Sequence, residues 1–146
     1  MIDIKLKKNN QDYYDISFND DGDFEQVDNF DTSILLSLYT DKRADSSEVS
    51  EAVKRRGYIA DQLYTSFKHG SKLWLLDQSR LNINVRNLAK TYTSESLQWL
   101  IDDSYLDNIE VKTDIINNEN ININIFAKSV NNKNIWSYSL WQNTGN

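Results

Sequence analysis

The run Ile121-Asn122-Ile123-Asn124-Ile125 constrains this chain more than any other feature. Strict alternation of apolar and polar residues is the period of a half-buried strand. Residues 2–7 alternate in the same way, with Ile2, Ile4 and Leu6 against Asp3, Lys5 and Lys7. Tyr14, Ile16 and Phe18 form a second such set, and Phe24-Glu25-Gln26-Val27 a short third strand. Asn9-Asn10-Gln11-Asp12 and Asn19-Asp20-Asp21-Gly22-Asp23 separate them as turns, because Asn, Asp and Gly tolerate positive φ. The N-terminal third is therefore expected to be an antiparallel meander. At the other end, Ile109-Glu110-Val111 opens a β region. Residues 117–120 turn it, 130–134 form a loop, and Trp136, Tyr138 and Leu140 alternate with Ser137 and Ser139. A hairpin or three-stranded meander is expected there.

Between these ends the spacing becomes helical. Asp31 or Thr32 can cap a helix over Ser33–Tyr39 that buries Ile34, Leu35, Leu38 and Tyr39. Asp45 and Glu48 have capping-box spacing, which predicts a short helix over 46–54 with Gly57 as a C-cap. Gly70-Ser71 introduces a further helix through Leu73-Trp74-Leu75-Leu76. Asn82 or Asn84 caps a long helix to about residue 103. Its apolar positions are Val85, Leu88, Ala89, Tyr92, Leu97, Leu100 and Ile101, with a register shift near Ser94–Ser96. The order β, then α, then β lacks βαβ alternation. It predicts an α+β fold with helices on one face of antiparallel strands.

The chain has 146 residues, 39% hydrophobic and 12% aromatic, which predicts a single domain over 1–146 with a real core. With no Cys there are no disulfides and no thiolate metal site, and one His excludes any site needing two imidazoles. No window approaches 18 apolar residues, so no membrane-spanning helix is expected. The first residues lack the pattern of a signal peptide, so synthesis and folding in the cytoplasm are expected. The net charge of -6 is unevenly placed. Residues 1–31 sum to -6, and residues 42–90, with ten bases against five acids, to +5.

Candidate chemistry is sparse. A calcium loop centred on Gly22 would put Ser17 where the first Asp belongs and Asp28 in place of the bidentate Glu, so a hairpin turn is the better reading. Asp102-Asp103 are adjacent on a helix and do not face each other, which argues against a catalytic pair. His69 has no nucleophile elbow beside it and reads as a surface residue at a helix start. Lys42-Arg43 and Lys54-Arg55-Arg56 are interleaved with Asp45, Glu48 and Glu51, too few bases for a nucleic-acid face. They suit a solvated face, or an arginine set that pairs with carboxylates inside an assembly. Trp136, Tyr138 and Trp141 fit core packing better than a sugar-stacking surface. These readings call for no cofactor.

The middle of the chain carries a resemblance. Residues 32–44 read as a helix ending in Thr40-Asp41-Lys42-Arg43-Ala44. Arg55-Arg56-Gly57-Tyr58 follows, then Gly70-Ser71-Lys72-Leu73-Trp74-Leu75-Leu76 and Leu97-Gln98-Trp99-Leu100-Ile101-Asp102-Asp103. In this order and spacing, over about residues 1–140, the sequence resembles the Mu-type phage baseplate proteins, a family similar to the gene-product-25-like wedge proteins of contractile tails. The chain departs from the pattern in having no Pro and an Asn-rich C-terminal hairpin. The resemblance implies a structural, non-enzymatic component of the baseplate wedge that helps assemble the baseplate and initiate the sheath. Its expected partners are other wedge, hub and sheath proteins, with no nucleic acid or membrane partner, and its expected place is the virion tail. Asp41, Lys42, Arg43, Arg55, Arg56, Gly57, Gly70 and Trp74 are then interface or structural residues. By position, Arg43 corresponds to an arginine that makes a buried ion pair in the wedge proteins. The other readings are a carbohydrate-recognising tail module using Trp136, Tyr138 and Trp141, and a cell-wall hydrolase using Asp102.

Overall fold

The structure is a computed structural model. It describes residues 2–11, 13–28, 30–63, 68–77, 79–116 and 120–129, together with the backbone of 135–143. Two compact units form, Met1–Leu36 and Ser37–Asn146. Their elements give an α+β fold, with antiparallel strands at the start, helices in the middle and antiparallel strands at the end.

The first unit begins with β1 (Ile2–Ile4) and β2 (Leu6–Lys8), followed by β3 (Tyr14–Ile16) and β4 (Gln26–Asp28). The alternating stretch 2–7 is thus two strands rather than one. β1 pairs with β4 and β2 with β3, both antiparallel. The division falls at Lys5, where three chain segments meet in a ring of backbone bonds. Lys5 N–H donates to Glu25 O (2.8 Å), Glu25 N–H to Ser17 O (2.8 Å) and Ser17 N–H to Lys5 O (2.9 Å). The Glu25 carboxylate closes the junction by accepting from Lys5 Nζ and from Ser17 Oγ. The turn at 19–23 forms as a hairpin. Asn19 Oδ1 accepts from the N–H of Asp21 and Asp23, and Gly22 takes φ +80°. Phe18 and Phe24 bridge across it.

Helix α1 (Asp31–Tyr39) starts two residues earlier than the apolar pattern suggested. Thr32 Oγ1 donates to Ile4 O and Ser33 Oγ to Asp3, so these hydroxyls tie the helix start to β1. Ile34 and Leu38 are buried, but Tyr39 is 60% exposed, against expectation.

In the second unit, α2 (Ile83–Asp102) is capped by Asn82, whose side chain accepts from the N–H of Asn84 and Val85. It packs on β5 (Leu106–Ile116) and β6 (Asn120–Ser129), with β7 (Ile135–Asn143) completing the antiparallel order β5-β6-β7. The alternation at 121–125 does what the period requires: Ile121, Ile123, Ile125 and Ala127 are all buried. Each such isoleucine contributes about 1.5–3 kcal/mol. The register shift expected near 94–96 is absent. Thr93 and Ser96 continue the buried stripe of Val85, Ala89, Leu97 and Leu100, so the gap in apolar residues is polar side chains facing inward. Leu88, expected inside, is 41% exposed. The predicted turn at 117–119 and loop at 130–134 lie outside the described residues.

Candidate functional site

The eight residues singled out in the sequence come together in the segment that joins α1 to α2. Thr40–Lys42 and Gly70–Lys72 run alongside each other as a short parallel bridge. Ser71 N–H donates to Thr40 O (2.8 Å) and Lys42 N–H to Ser71 O (3.0 Å). Gly70 makes this approach possible. It sits at φ +92°, and a Cβ there would run into the Thr40 carbonyl. Ser71 is buried, and its hydroxyl accepts from Leu73 N–H and donates to Tyr92 O, which anchors the bridge to α2.

Trp74 follows in a helix over Leu73–Leu76 that is a single 3₁₀ turn. Leu73 and Leu76 are buried, while Trp74 and Leu75 are half-buried. The Trp74 indole N–H donates to Lys42 O (2.8 Å). Over the same ring, 4.6 Å from its centroid, lies the guanidinium of Arg56, which also pairs with Asp41 at 3.0 Å. Arg56 is itself at φ +49°, next to Gly57 at φ +115°. Gly57 packs on Arg43, and a Cβ on it would lie 2.8 Å from Arg43 Cβ.

The helix expected over 46–54 does not form. One turn begins at Asp45, and a 3₁₀ turn covers only Ala52–Lys54. One half of the capping box forms, with Asp45 N–H donating to the Glu48 carboxylate at 2.8 Å. Arg55 donates to Val49 O and Ser50 O, and Arg43 donates to Ala52 O and Arg56 O. Gly57 therefore caps no helix. Arg43 is exposed and donates to backbone carbonyls, while Arg56 pairs with Asp41.

Sequence reasoning missed Lys72. Its ammonium is mostly covered and lies 2.6 Å from Asp45 and 2.8 Å from Glu48. Burial works against the charged ammonium, but the bonds to the two carboxylates outweigh it and raise its pKa. Hydrogen bonding from Lys72 holds the Asp45 carboxyl below its usual range. Tyr92 of α2 is pushed up by burial and by the nearby Glu48 charge. The only signal in the sequence was the Asp45/Glu48 spacing, which pointed to a helix start instead.

His69 is not a bare surface residue. Its Nδ1 and backbone N–H both meet Oδ1 of the buried Asp61, and Tyr58 packs edge-on against the ring at 5.6 Å. Asp102, at the end of α2, is exposed and accepts from Gln98. The side chains of Trp136, Tyr138 and Trp141 lie outside the described residues. Among the described residues, no group of three His, Asp or Glu side chains is placed to hold a metal, and no helix is long and apolar enough to cross a membrane.

Arginines thus spend their donors on making an irregular segment rigid. That segment presents Val53 (90% exposed), Ile59 (77%) and Leu63 (81%) to the outside. Such a surface is suited to contact rather than to bond-making chemistry.

A family model described as phage protein GP46 matches residues 30–134. The chain is 32% identical over 84 residues to the Mu-like prophage FluMu protein gp46 of Haemophilus influenzae, covering 58% of this chain and 56% of that protein. It is 36% identical over 75 residues to the baseplate protein gp46 of Escherichia phage Mu, covering 50% of this chain and 51% of that protein. The chain spans about half the length of the curated relatives it matches.

Proposed function

The chain belongs to the phage protein GP46 family, and from that premise we propose that it is a structural component of the baseplate of a contractile phage tail or tail-like particle. Within the baseplate it serves in the wedge, contacts other wedge, hub and sheath proteins, contributes to assembly and sheath initiation, and catalyses no reaction. The observation that carries this reading is the arginine-braced segment 41–76. It lies inside the matched region, its backbone carbonyls are held by arginine side chains, and among its described residues Val53, Ile59 and Leu63 stand exposed. The match to a relative named as a baseplate protein supplies the assembly.

The mechanism is mechanical. Arg43, Arg55, Arg56 and Trp74 hold the segment in one shape, and Asp41, Gly57 and Gly70 permit that shape. A preformed surface binds without the cost of ordering a loop. Complementation of a deletion in the parent phage or prophage tests the reading. Arg56→Ala is expected to lower the yield of intact contractile particles, and Arg43→Ala to do the same. Full particle yield and contraction from both variants would remove the segment from the assembly role.

A further inference from the structure

Helix α2 begins in a run of cations that the described residues do not neutralise. Residues 78–94 hold Arg80, Arg86 and Lys90 and no acid. None of the three bases forms an ion pair among the described residues. Arg86 is half-buried, and its covered Nε has no hydrogen-bond partner among the described residues. Its guanidinium makes one long contact, 3.4 Å, to Asn87 Oδ1. Asn82 Nδ2 donates to Arg80 O (3.1 Å), which keeps Arg80 beside the helix start. Ile83, Arg86, Asn87 and Lys90 lie at i, i+3, i+4 and i+7, so they share one face of α2. Arg86 and Lys90 repel each other at this spacing, and a partly covered charge without a partner costs stability.

The geometry explains why no acid of the second unit answers them. Thr113 Oγ1 donates to Arg86 O (3.3 Å), so the face of β5 that carries Thr113 and Ile115 looks toward α2. Glu110 and Asp114 alternate to the opposite face, where Glu110 pairs with Lys112 at 3.2 Å. Glu95 follows Lys90 by five positions, roughly 140° around the helix. What stands beside the cations instead is apolar, with Ile83 53% and Ile115 36% exposed.

This chemistry selects the occupant. A guanidinium fork matches a carboxylate through two parallel hydrogen bonds. Ile83 and Ile115 favour a partner that brings apolar side chains as well. The stripe has no aromatic ring on which a base would stack, and too few cations to follow a phosphate backbone. We propose that the face of α2 bearing Ile83, Arg86 and Lys90 docks an acidic, apolar segment of a different protein, with one carboxylate on Arg86 and a second on Lys90. The contact lies apart from segment 41–76 and does not rest on the baseplate reading.

Two measurements on the full-length protein test this, and the first needs no partner. An arginine that serves its own fold loses stability when replaced, and one kept for a partner does not. Arg86→Met keeps an apolar stem and removes the uncompensated charge. Its thermal midpoint is expected to equal or exceed that of wild type. A midpoint lower by more than about 4 °C assigns the guanidinium to the fold and overturns the proposal. The second is calorimetric titration with a short acetylated peptide of glutamates and leucines. Its glutamine analogue, inorganic phosphate and a single-stranded DNA oligonucleotide are titrated beside it. The glutamate peptide is expected to bind, more weakly as salt rises. Arg86→Met and Lys90→Met are each expected to weaken it about tenfold, the scale of one charge-assisted pair. Equal binding of the glutamine analogue overturns the proposal, as does no binding up to about 1 mM. Tighter binding of phosphate or the oligonucleotide overturns it in favour of a phosphate ligand. Self-association of wild type that Arg86→Met abolishes overturns it in favour of a second copy.

Discussion

Arg56 directs its guanidinium to Asp41 and the Trp74 ring, Arg43 to the carbonyls of Ala52 and Arg56, and Arg55 to those of Val49 and Ser50. Lysine in place of Arg56 keeps the charge but loses the planar fork that stacks and pairs at once. Arg56→Lys is expected to lower stability by about 1 kcal/mol, the scale of a half-exposed cation–π contact with a weak surface pair. Urea denaturation measures it, and an unchanged midpoint would contradict the stacking role. The glycines separate strain from crowding. Gly70→Ala meets the Thr40 carbonyl at a positive φ, whereas Gly22→Ala at φ +80° has nothing within 4 Å. The first is expected to cost roughly 3 kcal/mol or more and the second about 1 kcal/mol. That these residues lie close together was suggested in the sequence by three short motifs. What they bind was not. The arginine partners are mostly backbone carbonyls, which look alike at every position, and Lys72 occupies the unmarked place in its motif.

At the level of elements, the sequence was most legible where period and burial coincide. The isoleucines of β6 and the Asn82 cap of α2 stand where alternation and capping chemistry put them. Asn82→Ala is expected to cost about 1 kcal/mol. Legibility failed where polar residues face inward. Thr93 is fully buried, and its Oγ1 has no hydrogen-bond partner among the described residues. Thr93→Val keeps the shape and removes an unsatisfied hydroxyl, so it is expected to be neutral or stabilising by up to about 1 kcal/mol. A clear loss of stability would reveal a partner for that hydroxyl. The helix expected over 46–54 is reduced to one turn at Asp45 and a 3₁₀ turn over Ala52–Lys54. The Lys72 clamp that replaced the helix has a pH signature. Asp45 has a folded pKa below its usual 3.8, so its contribution is present above that value and fades as pH falls through the folded one. Lys72 is raised above 10.5, so its contribution is complete below 10.5 and fades as pH rises past the folded value. Lys72→Met is expected to flatten the stability profile at both the acid and the alkaline end. Parallel profiles for wild type and variant would show that the clamp adds nothing.

At the scale of the whole molecule, the α+β order was readable because β, α and β segments follow one another without mixing. The uneven charge was readable too, but its meaning was not. The matched region, 30–134, spans the arginine-braced segment, α2, β5 and β6. A cryo-electron microscopy map of intact tail particles made by the phage or prophage that encodes this chain tests the central claim most directly. The account predicts density for the chain in the baseplate, with residues 41–76 ordered against a neighbouring subunit. A particle that assembles and contracts with no copy of the chain in its baseplate would contradict it.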